Sequence, residues 1–241
     1  AGTASSGPLT LQVINGTKVP KELYEYDNQL SLSDKFSKEV GLNDYYYLYP
    51  GLSWKYTNAF KDGVTGKNID LKITVVKSDD TSKGAIISIG SHNIGTIYAN
   101  LNDPSREASV TYKVEFLDHL TGSSISLFPI IGIGDLDFYQ SVAVDNALRV
   151  LPGSGLSISK SASSILAKSN FSGDTKNDDP RSQAWFLLPN CSTFNYTFKG
   201  GRAAWQELGN LSMPGGNKPL PKTTSINFHY DTFYFFFQII I

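Results

Sequence analysis

The sequence is poor in cysteine and histidine. Cys191 is the single cysteine of 241 residues, so no disulfide can form within the chain. Secreted eukaryotic domains of this size often depend on disulfides, and the sequence argues against that class. Two settings stay open: the cytosol, or the surface of a bacterium whose exported proteins fold without disulfides. The three histidines and the one cysteine show no zinc-ligand spacing, which argues against a zinc site.

The sequence also lacks an excess of either charge. Lys and Arg number 21 against 22 Asp and Glu, which gives a net charge of -1. Nucleic acids and anionic membranes attract basic surfaces, so neither is indicated as a partner. Long apolar runs are missing as well. The longest, residues 233–237, is far too short for a membrane span or a signal peptide.

What the sequence does contain is typical of β-structure. Aromatic residues make up 12% of the chain, and Ser, Thr, Val and Ile are frequent. Apolar and polar residues alternate over residues 68–76 and 108–116, the period-two pattern of strands with one buried face. Roughly twelve short strands without a helical repeat predict an all-β fold, a two-sheet β-sandwich or jelly roll with long loops. Trp54 and Trp185 fall within strand patterns and are expected in the core.

The domain organisation follows from the lack of an internal repeat or a clear boundary. Residues 1–8 look like a flexible lead-in or a tag remnant, and residues 9–241 are predicted to form a single domain. Both ends look like cut points in a longer protein.

Local patterns predict several less regular segments. Residues 34–39 indicate one helical turn with Ser33 as its cap. Residues 45–50 form an aromatic run that a proline turn closes, and residues 125–133 indicate a strand. Residues 153–179 are rich in Ser, Lys, Asn and Asp and predict a long exposed loop with at most one short strand.

Four sequence landmarks follow one another between residues 56 and 198. They are Tyr56-Thr57-Asn58-Ala59 with Gly66-Lys67-Asn68-Ile69-Asp70-Leu71-Lys72-Ile73-Thr74-Val75; Val110-Thr111-Tyr112-Lys113-Val114-Glu115-Phe116-Leu117-Asp118 with Thr121-Gly122; Gly134-Asp135-Leu136-Asp137 before Gln140-Ser141-Val142; and Gln183-Ala184-Trp185 with Ser192-Thr193-Phe194-Asn195-Tyr196-Thr197-Phe198. In this order they resemble the non-repetitive, lectin-like binding domain of Gram-positive, cell-wall-anchored fibrillar adhesins of the CshA type. Residues 1–50 have no counterpart in that resemblance.

The resemblance implies a lectin-like β-sandwich, in agreement with the strand pattern. It also implies a non-catalytic domain of a larger protein that is anchored to the cell wall and attaches to host glycans or matrix glycoproteins, of which fibronectin is one candidate. The single cysteine, which closes no loop, predicts a monomer, and the balanced charge and short apolar runs indicate neither nucleic-acid binding nor membrane insertion. Two other classes stay open: a carbohydrate-active enzyme or its accessory carbohydrate-binding module, and a structural spacer.

Asp135 and Asp137 are the strongest candidates for metal or catalytic chemistry. Carboxylates two residues apart on a glycine bend suit Ca²⁺, the carboxylate pair of a glycosidase, or a turn held by side-chain hydrogen bonds. Calcium is therefore the one candidate cofactor. A serine nucleophile is not indicated, because the sequence has no Gly-x-Ser-x-Gly motif. Lys72 is a candidate donor for an isopeptide crosslink, but the alternation places it outward, which argues against one.

Ligand contacts are expected on loops, because strands are committed to pairing and core packing. The three candidate loops are residues 45–50, 173–181 and 201–217. The candidate ligand-binding residues are Tyr45, Tyr46, Tyr47, Asp178, Asp179, Arg181, Arg202, Trp205 and Gln206. We predict a shallow site lined by at least two of these loops. The alternative is that the tyrosines are core residues and that Trp205 fills the edge of the sandwich.

Overall fold

A computed structural model of the protein describes residues 9–176, 179–201 and, for the backbone, 204–209. Its strands are β1 (Thr10–Asn15), β2 (Leu42–Tyr47), β3 (Ser53–Lys61), β4 (Asn68–Ser78), β5 (Ala85–Gly90), β6 (Gly95–Asn100), β7 (Ala108–Asp118), β8 (Ile130–Gly134), β9 (Ser141–Asp145), β10 (Arg149–Pro152), β11 (Leu156–Lys160), β12 (Ser164–Ser169), β13 (Ala184–Leu187), β14 (Thr193–Gly200) and β15 (Ala204–Gly209). One α-helix, α1 (Lys35–Val40), and two 3₁₀ turns accompany them in the described residues. No helix in that part of the chain is long and apolar enough to span a membrane.

The described strands form two antiparallel sheets. The first has the order β1-β3-β4-β7-β14-β9-β12-β11, and the second has the order β10-β13-β8-β15-β6-β5-β2. Strands β10 and β11, which end the two sheets on one side, contact each other. The predicted all-β sandwich is confirmed.

The main core lies between the sheets and follows the predicted alternation. The inward residues of β4 are at most 2% exposed: Ile69, Leu71, Ile73 and Val75. The inward residues of β7 are also buried: Val110, Tyr112, Val114 and Phe116. Trp54 from β3 packs edge-on against Tyr112, with 6.1 Å between ring centroids. Because side chains alternate between the faces of a strand, these residues all lie on the inner face of the first sheet and form its side of the core.

Asp70 departs from the simple pattern, since it lies on the outer face of β4 and is nevertheless buried. Its carboxylate accepts a hydrogen bond from the Asn58 backbone N–H at 2.9 Å. The His119 Nδ1 lies 2.8 Å from the same oxygen, and Lys55 Nζ lies 3.8 Å from the other. Buried carboxylates need such partners. Lys72 lies in register between Lys55 and Glu115 on this outer face.

Helix α1 forms where one helical turn is predicted, but its cap differs. Asp34, not Ser33, is the N-terminal cap, and its carboxylate accepts a hydrogen bond from Ser37 N at 2.6 Å. The helix ends at Gly41, whose φ of +76° lies in the left-handed region that favours glycine.

Three local predictions are wrong. Residues 45–47 belong to strand β2 and not to a loop. The strand predicted over residues 125–133 begins only at Ile130, because the preceding Pro129 has no backbone N–H to donate to a ladder. Residues 153–179 contain the hairpin β11–β12, which extends the first sheet. This hairpin lies at the sheet edge and is largely polar, so its alternation is weak in sequence.

Candidate functional site

The two sheets part along one side, where β1 ends the first sheet and β2 ends the second. After β1 the chain crosses at Gly16 to run beside β2. There the Tyr47 N–H donates to Thr17 O at 3.0 Å, and the Val19 N–H donates to Tyr45 O at 2.8 Å. This crossing leaves an opening between β1 and β2, which we call the edge groove.

The edge groove has a volume of about 580 Å³, within the range of roughly 300–1,000 Å³ typical of small-molecule sites. Its apolar wall comes mainly from β1 and the residue that precedes β1: Leu9, Leu11, Val13 and Ile14. Its polar lining comes from the opposite side: Lys18, Asn43, Asp44, Ser91 and His92. Tyr46 adds an aromatic ring. The groove therefore combines apolar surface with ammonium, carboxylate, amide, hydroxyl and imidazole groups.

The charged pair of the groove is Lys18 and Asp44. Lys18 Nζ lies 3.2 Å from Asp44 Oδ2. The hydrogen bond and the charge of Asp44 raise the pKa of Lys18. Burial, and then the nearby Asp44 charge, raise the pKa of the Tyr46 hydroxyl, which stays neutral and able to donate at neutral pH. Asp44 is also anchored through its backbone, since Ser88 Oγ donates to Asp44 O at 2.7 Å.

Two glycines shape the walls. A Cβ on Gly16 would lie 2.8 Å from Leu52 Cδ1 and 3.0 Å from Tyr46 Cδ1. A Cβ on Gly41 would lie 2.3 Å from Ser91 Oγ and 2.7 Å from His92 Nδ1. Real Cβ atoms rarely approach so closely. Gly41 also has a φ of +76°, so glycine is required there, whereas a side chain at Gly16 would push the Leu52 and Tyr46 side chains aside.

Of the three predicted tyrosines, only Tyr46 lines the groove. Tyr45 is buried in a second hydrophobic cluster, where its ring packs edge-on against Tyr24 at 4.7 Å between centroids. Tyr47 is partly buried against the same cluster. Adjacent strand residues point to opposite faces, which separates Tyr46 from its two neighbours. For Tyr45 the core alternative is correct.

Residues 173–181, the second candidate loop, lie between β12 and β13. Asp179 caps the 3₁₀ turn Pro180–Ser182, and its carboxylate pairs with Arg181 at 2.6 Å. That pairing lowers the pKa of Asp179. The Arg181 guanidinium also lies 5.3 Å from the centroid of the Phe171 ring. Asp178 lies outside the described residues.

Asp135 and Asp137 are both buried on the bend between β8 and β9. Asp137 Oδ2 accepts a hydrogen bond from Thr175 N at 2.8 Å. Burial, with the neighbouring Asp174 carboxyl group, raises the pKa of Asp137 to about 6. Across the described residues, no three His, Cys, Asp or Glu side chains converge as a metal-ion group.

The third predicted loop begins as a strand. Trp205 and Gln206 lie in β15, in register with Ile97 and Thr96 of β6. Arg202 lies outside the described residues. The structure therefore does not bring the predicted residues to one place: Tyr46 lies at the β2 edge, whereas Arg181 precedes β13 in the other half of the second sheet.

Sequence reasoning missed most of the groove. Lys18, Asn43, Asp44, Ser91 and His92 come from three separate segments, and each is an ordinary polar residue in its own surroundings. Only the order of strands in the sheets, with β1 and β2 as the last named strands on this side, places them together. No sequence signal identified them.

Comparison with solved structures finds adhesin domains, although no family model and no curated protein matches the sequence. The adhesin domain of PrgB from Enterococcus faecalis is 9% identical, with a TM-score of 0.50 over 90% of this chain and 92% of that one. Glucan binding protein C of Streptococcus mutans is 13% identical, with a TM-score of 0.49 over 89% of this chain and 76% of that one. The N-terminal domain of the Streptococcus gordonii adhesin Sgo0707 is 12% identical, with a TM-score of 0.48 over 89% of this chain. The chain spans 58% of that structure. At these identities the likeness is one of fold, and the resemblance to adhesin binding domains holds at that level.

Proposed function

We propose that this chain is a non-catalytic adhesion domain that binds a carbohydrate in the edge groove. The observation that carries the proposal is the composition of the groove, in which the Tyr46 ring lies among Lys18, Asn43 and Asp44. A pyranose presents C–H groups that pack on a ring and hydroxyl groups that need donors and acceptors. The groove offers both kinds of surface, and strand β2 holds Asn43, Asp44 and Tyr46 in place.

The fold shared with the PrgB adhesin domain supports a surface role for the domain. In this proposal the parent protein is exposed on a bacterial cell and anchored in the cell wall. The natural ligand is then a host glycan, free or carried on a matrix glycoprotein such as fibronectin. Many copies on one cell would strengthen attachment beyond the affinity of a single groove.

The groove does not favour the alternative of a glycosidase. That reaction requires two carboxyl groups on either side of the scissile bond, about 5–10 Å apart. Among the described residues that line the groove, Asp44 alone has a carboxyl group, and it is paired with Lys18. An accessory carbohydrate-binding module of an enzyme would use the same groove without catalysis.

A calcium ion at the bend between β8 and β9 stays a prediction. Asp137 lies close to Asp174, and Thr175 adds a hydroxyl oxygen 3.4 Å from the Asp137 carboxylate. Oxygen donors of this kind suit Ca²⁺. In this proposal the ion would hold the loop that contains Thr175 against the bend, and would take no part in chemistry.

A glycan array tests the proposal directly. We expect the domain to bind a limited set of saccharides, and the variants Tyr46→Ala and Asp44→Asn to lose at least ~90% of that signal while keeping the wild-type melting temperature within a few degrees. Tyr26→Ala is the matched control, because Tyr26 is highly exposed and does not line the groove. A folded wild type that binds no saccharide, or groove variants that bind as the control does, would overturn the proposal.

A further inference from the structure

Two adjacent aromatic side chains stand in solvent on the turn between β8 and β9. Phe138 is 53% exposed and Tyr139 is 58% exposed. Both have a positive φ, +44° for Phe138 and +58° for Tyr139. This left-handed region favours glycine and disfavours bulky residues. Two large rings therefore occupy positions that glycine would fill with less strain, and more than half of each residue stays exposed.

The turn is firmly anchored beneath the rings. Leu136 is fully buried, and its N–H donates to Ser182 O at 3.0 Å. The Gln140 N–H donates to Asp137 O at 2.7 Å, and the Tyr139 N–H donates to Phe171 O at 2.8 Å. The rings are thus displayed on a held backbone, which is what a binding surface needs to avoid an ordering cost. Strain that the surrounding structure maintains points to a functional position.

The neighbouring loop supplies polar groups. Phe171, which is joined to Tyr139 through the backbone, lies under the Arg181 guanidinium, and Asp179 holds that guanidinium with contacts of 2.6–3.2 Å. A guanidinium fixed in this way can present its remaining N–H groups in a constant direction. Aromatic faces and fixed hydrogen-bonding groups therefore occur together on this part of the surface.

We infer that Phe138 and Tyr139, together with Arg181 of the neighbouring loop, form a second saccharide-binding surface, separate from the edge groove. This inference rests on the proposed function and adds a second contact to it. The aromatic turn, as we call residues 138–139, lies between β8 and β9, whereas the edge groove lies between β1 and β2. One domain would then contact two saccharide chains, or two parts of a branched one.

The charge nearby favours a neutral saccharide. Arg181 is neutralised by Asp179, and the exposed Asp174 balances the remaining described cation of the loop, Lys176. Phosphate groups and nucleic acid need a basic surplus that this surface does not have, and the carboxylate of a sialylated glycan would have to displace Asp179 from Arg181. Two rings also supply far less surface than a whole protein interface, which commonly buries about 800 Å² on each partner.

The test replaces both rings with glycine in the intact chain, as F138G/Y139G. Glycine tolerates the left-handed backbone, so we expect the melting temperature to stay level or rise. On an array of neutral and sialylated glycans, the Tyr46→Ala variant should keep weak binding to neutral glycans. Adding F138G/Y139G to Tyr46→Ala should reduce that residual binding at least ~10-fold. Arg181→Ala in the same background should reduce it as well.

The outcomes separate this inference from the proposed function. If Tyr46→Ala removes all binding and F138G/Y139G alone changes nothing, the groove stands and the second surface is wrong. If F138G/Y139G removes binding and Tyr46→Ala does not, the second surface stands and the groove is wrong. A fall of several degrees in the melting temperature of F138G/Y139G, with binding retained, would make the rings structural. Loss of sialylated-glycan binding alone would overturn the ligand class.

Discussion

Tyr45 and Tyr46 are neighbours in β2 and lie in different environments. Tyr45 packs against Tyr24 in the interior, and Tyr46 lines the edge groove. The alternation of a strand turns two adjacent, chemically identical residues into a core residue and a surface residue. The pair therefore provides a matched test of which residues hold the fold and which contact a ligand.

We expect Tyr45→Ala to lower the free energy of unfolding by about 3–5 kcal/mol, the cost of removing a buried aromatic ring. Tyr46→Ala should cost about 1 kcal/mol, because its ring is only partly buried. Saccharide binding should change in the opposite order, with Tyr46→Ala the more damaging. Urea denaturation and array binding on both variants measure this. Equal stability losses in the two variants would show that Tyr46 is as much a core residue as Tyr45.

Asp80 is expected to control the acid stability of the domain. Burial acts to raise its pKa, but hydrogen bonds from Tyr98, Asn100 and Ser82 outweigh burial and bring the pKa to about 2. A carboxyl group whose pKa is lowered in the folded protein stabilises the fold at pH values above its ordinary pKa. This stabilisation is lost as the pH falls from about 4 to 2. The loss should be about 2 kcal/mol.

Asp80→Asn is the variant that checks this. It should lower the unfolding free energy at pH 7 and flatten its dependence on pH between about 4 and 2. Tyr98→Phe removes one of these hydrogen bonds, since the Tyr98 hydroxyl lies 2.6 Å from Asp80 Oδ2, and should give an intermediate slope. Parallel pH profiles for all three proteins would contradict the assignment.

Asp137 should make stability depend on pH in the opposite direction from Asp80. Its pKa of about 6 is above the ordinary value, so the folded protein binds the proton more tightly than the unfolded chain does. Its contribution to stability is complete below pH ~4 and is lost as the pH rises through about 6. Asp137→Asn should therefore raise the unfolding free energy at pH 7 by about 1–3 kcal/mol in the presence of a chelator. An Asn variant less stable than wild type at pH 7, with the same pH slope, would contradict this.

Calcium should offset the destabilisation that the ionised Asp137 carboxylate causes at pH 7. A cation bound only to the folded state raises the melting temperature by mass action. We expect millimolar Ca²⁺ to raise, and EDTA to lower, the melting temperature of the wild type at pH 7. Asp137→Asn should respond to neither, and Mg²⁺ should have a smaller effect than Ca²⁺. A wild-type melt that is unchanged by Ca²⁺ and by EDTA would leave Asp135 and Asp137 as bend residues.

The sequence could predict those parts of the fold that the local spacing of apolar residues determines. Residues 69–75 of β4 alternate between apolar and polar, because one face of β4 is core and the other, apart from the buried Asp70, is not. Trp54 and Trp185 are buried, as the strand patterns indicate. In β11 and β12 the pattern is faint, since Ser157 and Lys168 pair on a polar face at the sheet edge.

The edge groove could not be predicted for a different reason. Lys18 and Asp44 are 26 positions apart in the sequence, and their 3.2 Å contact depends on the chain crossing from the first sheet to the second at Gly16. Periodicity reports which face of a strand is buried, and not which strands end a sheet. The aromatic turn was missed because adjacent rings beside Asp137 look like the start of a strand, and positive φ angles are not visible in sequence.

An NMR titration of the ¹⁵N-labelled domain with the strongest saccharide on the array decides whether the edge groove is the binding site. We expect the largest shift changes to fall on the amides of Asn43, Asp44, Tyr46, Ser91 and His92, and Tyr46→Ala to abolish them. Changes at Phe138 and Tyr139 would come from the second surface and would persist in that variant. Binding of the saccharide without shift changes at the groove amides would show that the groove is not the site.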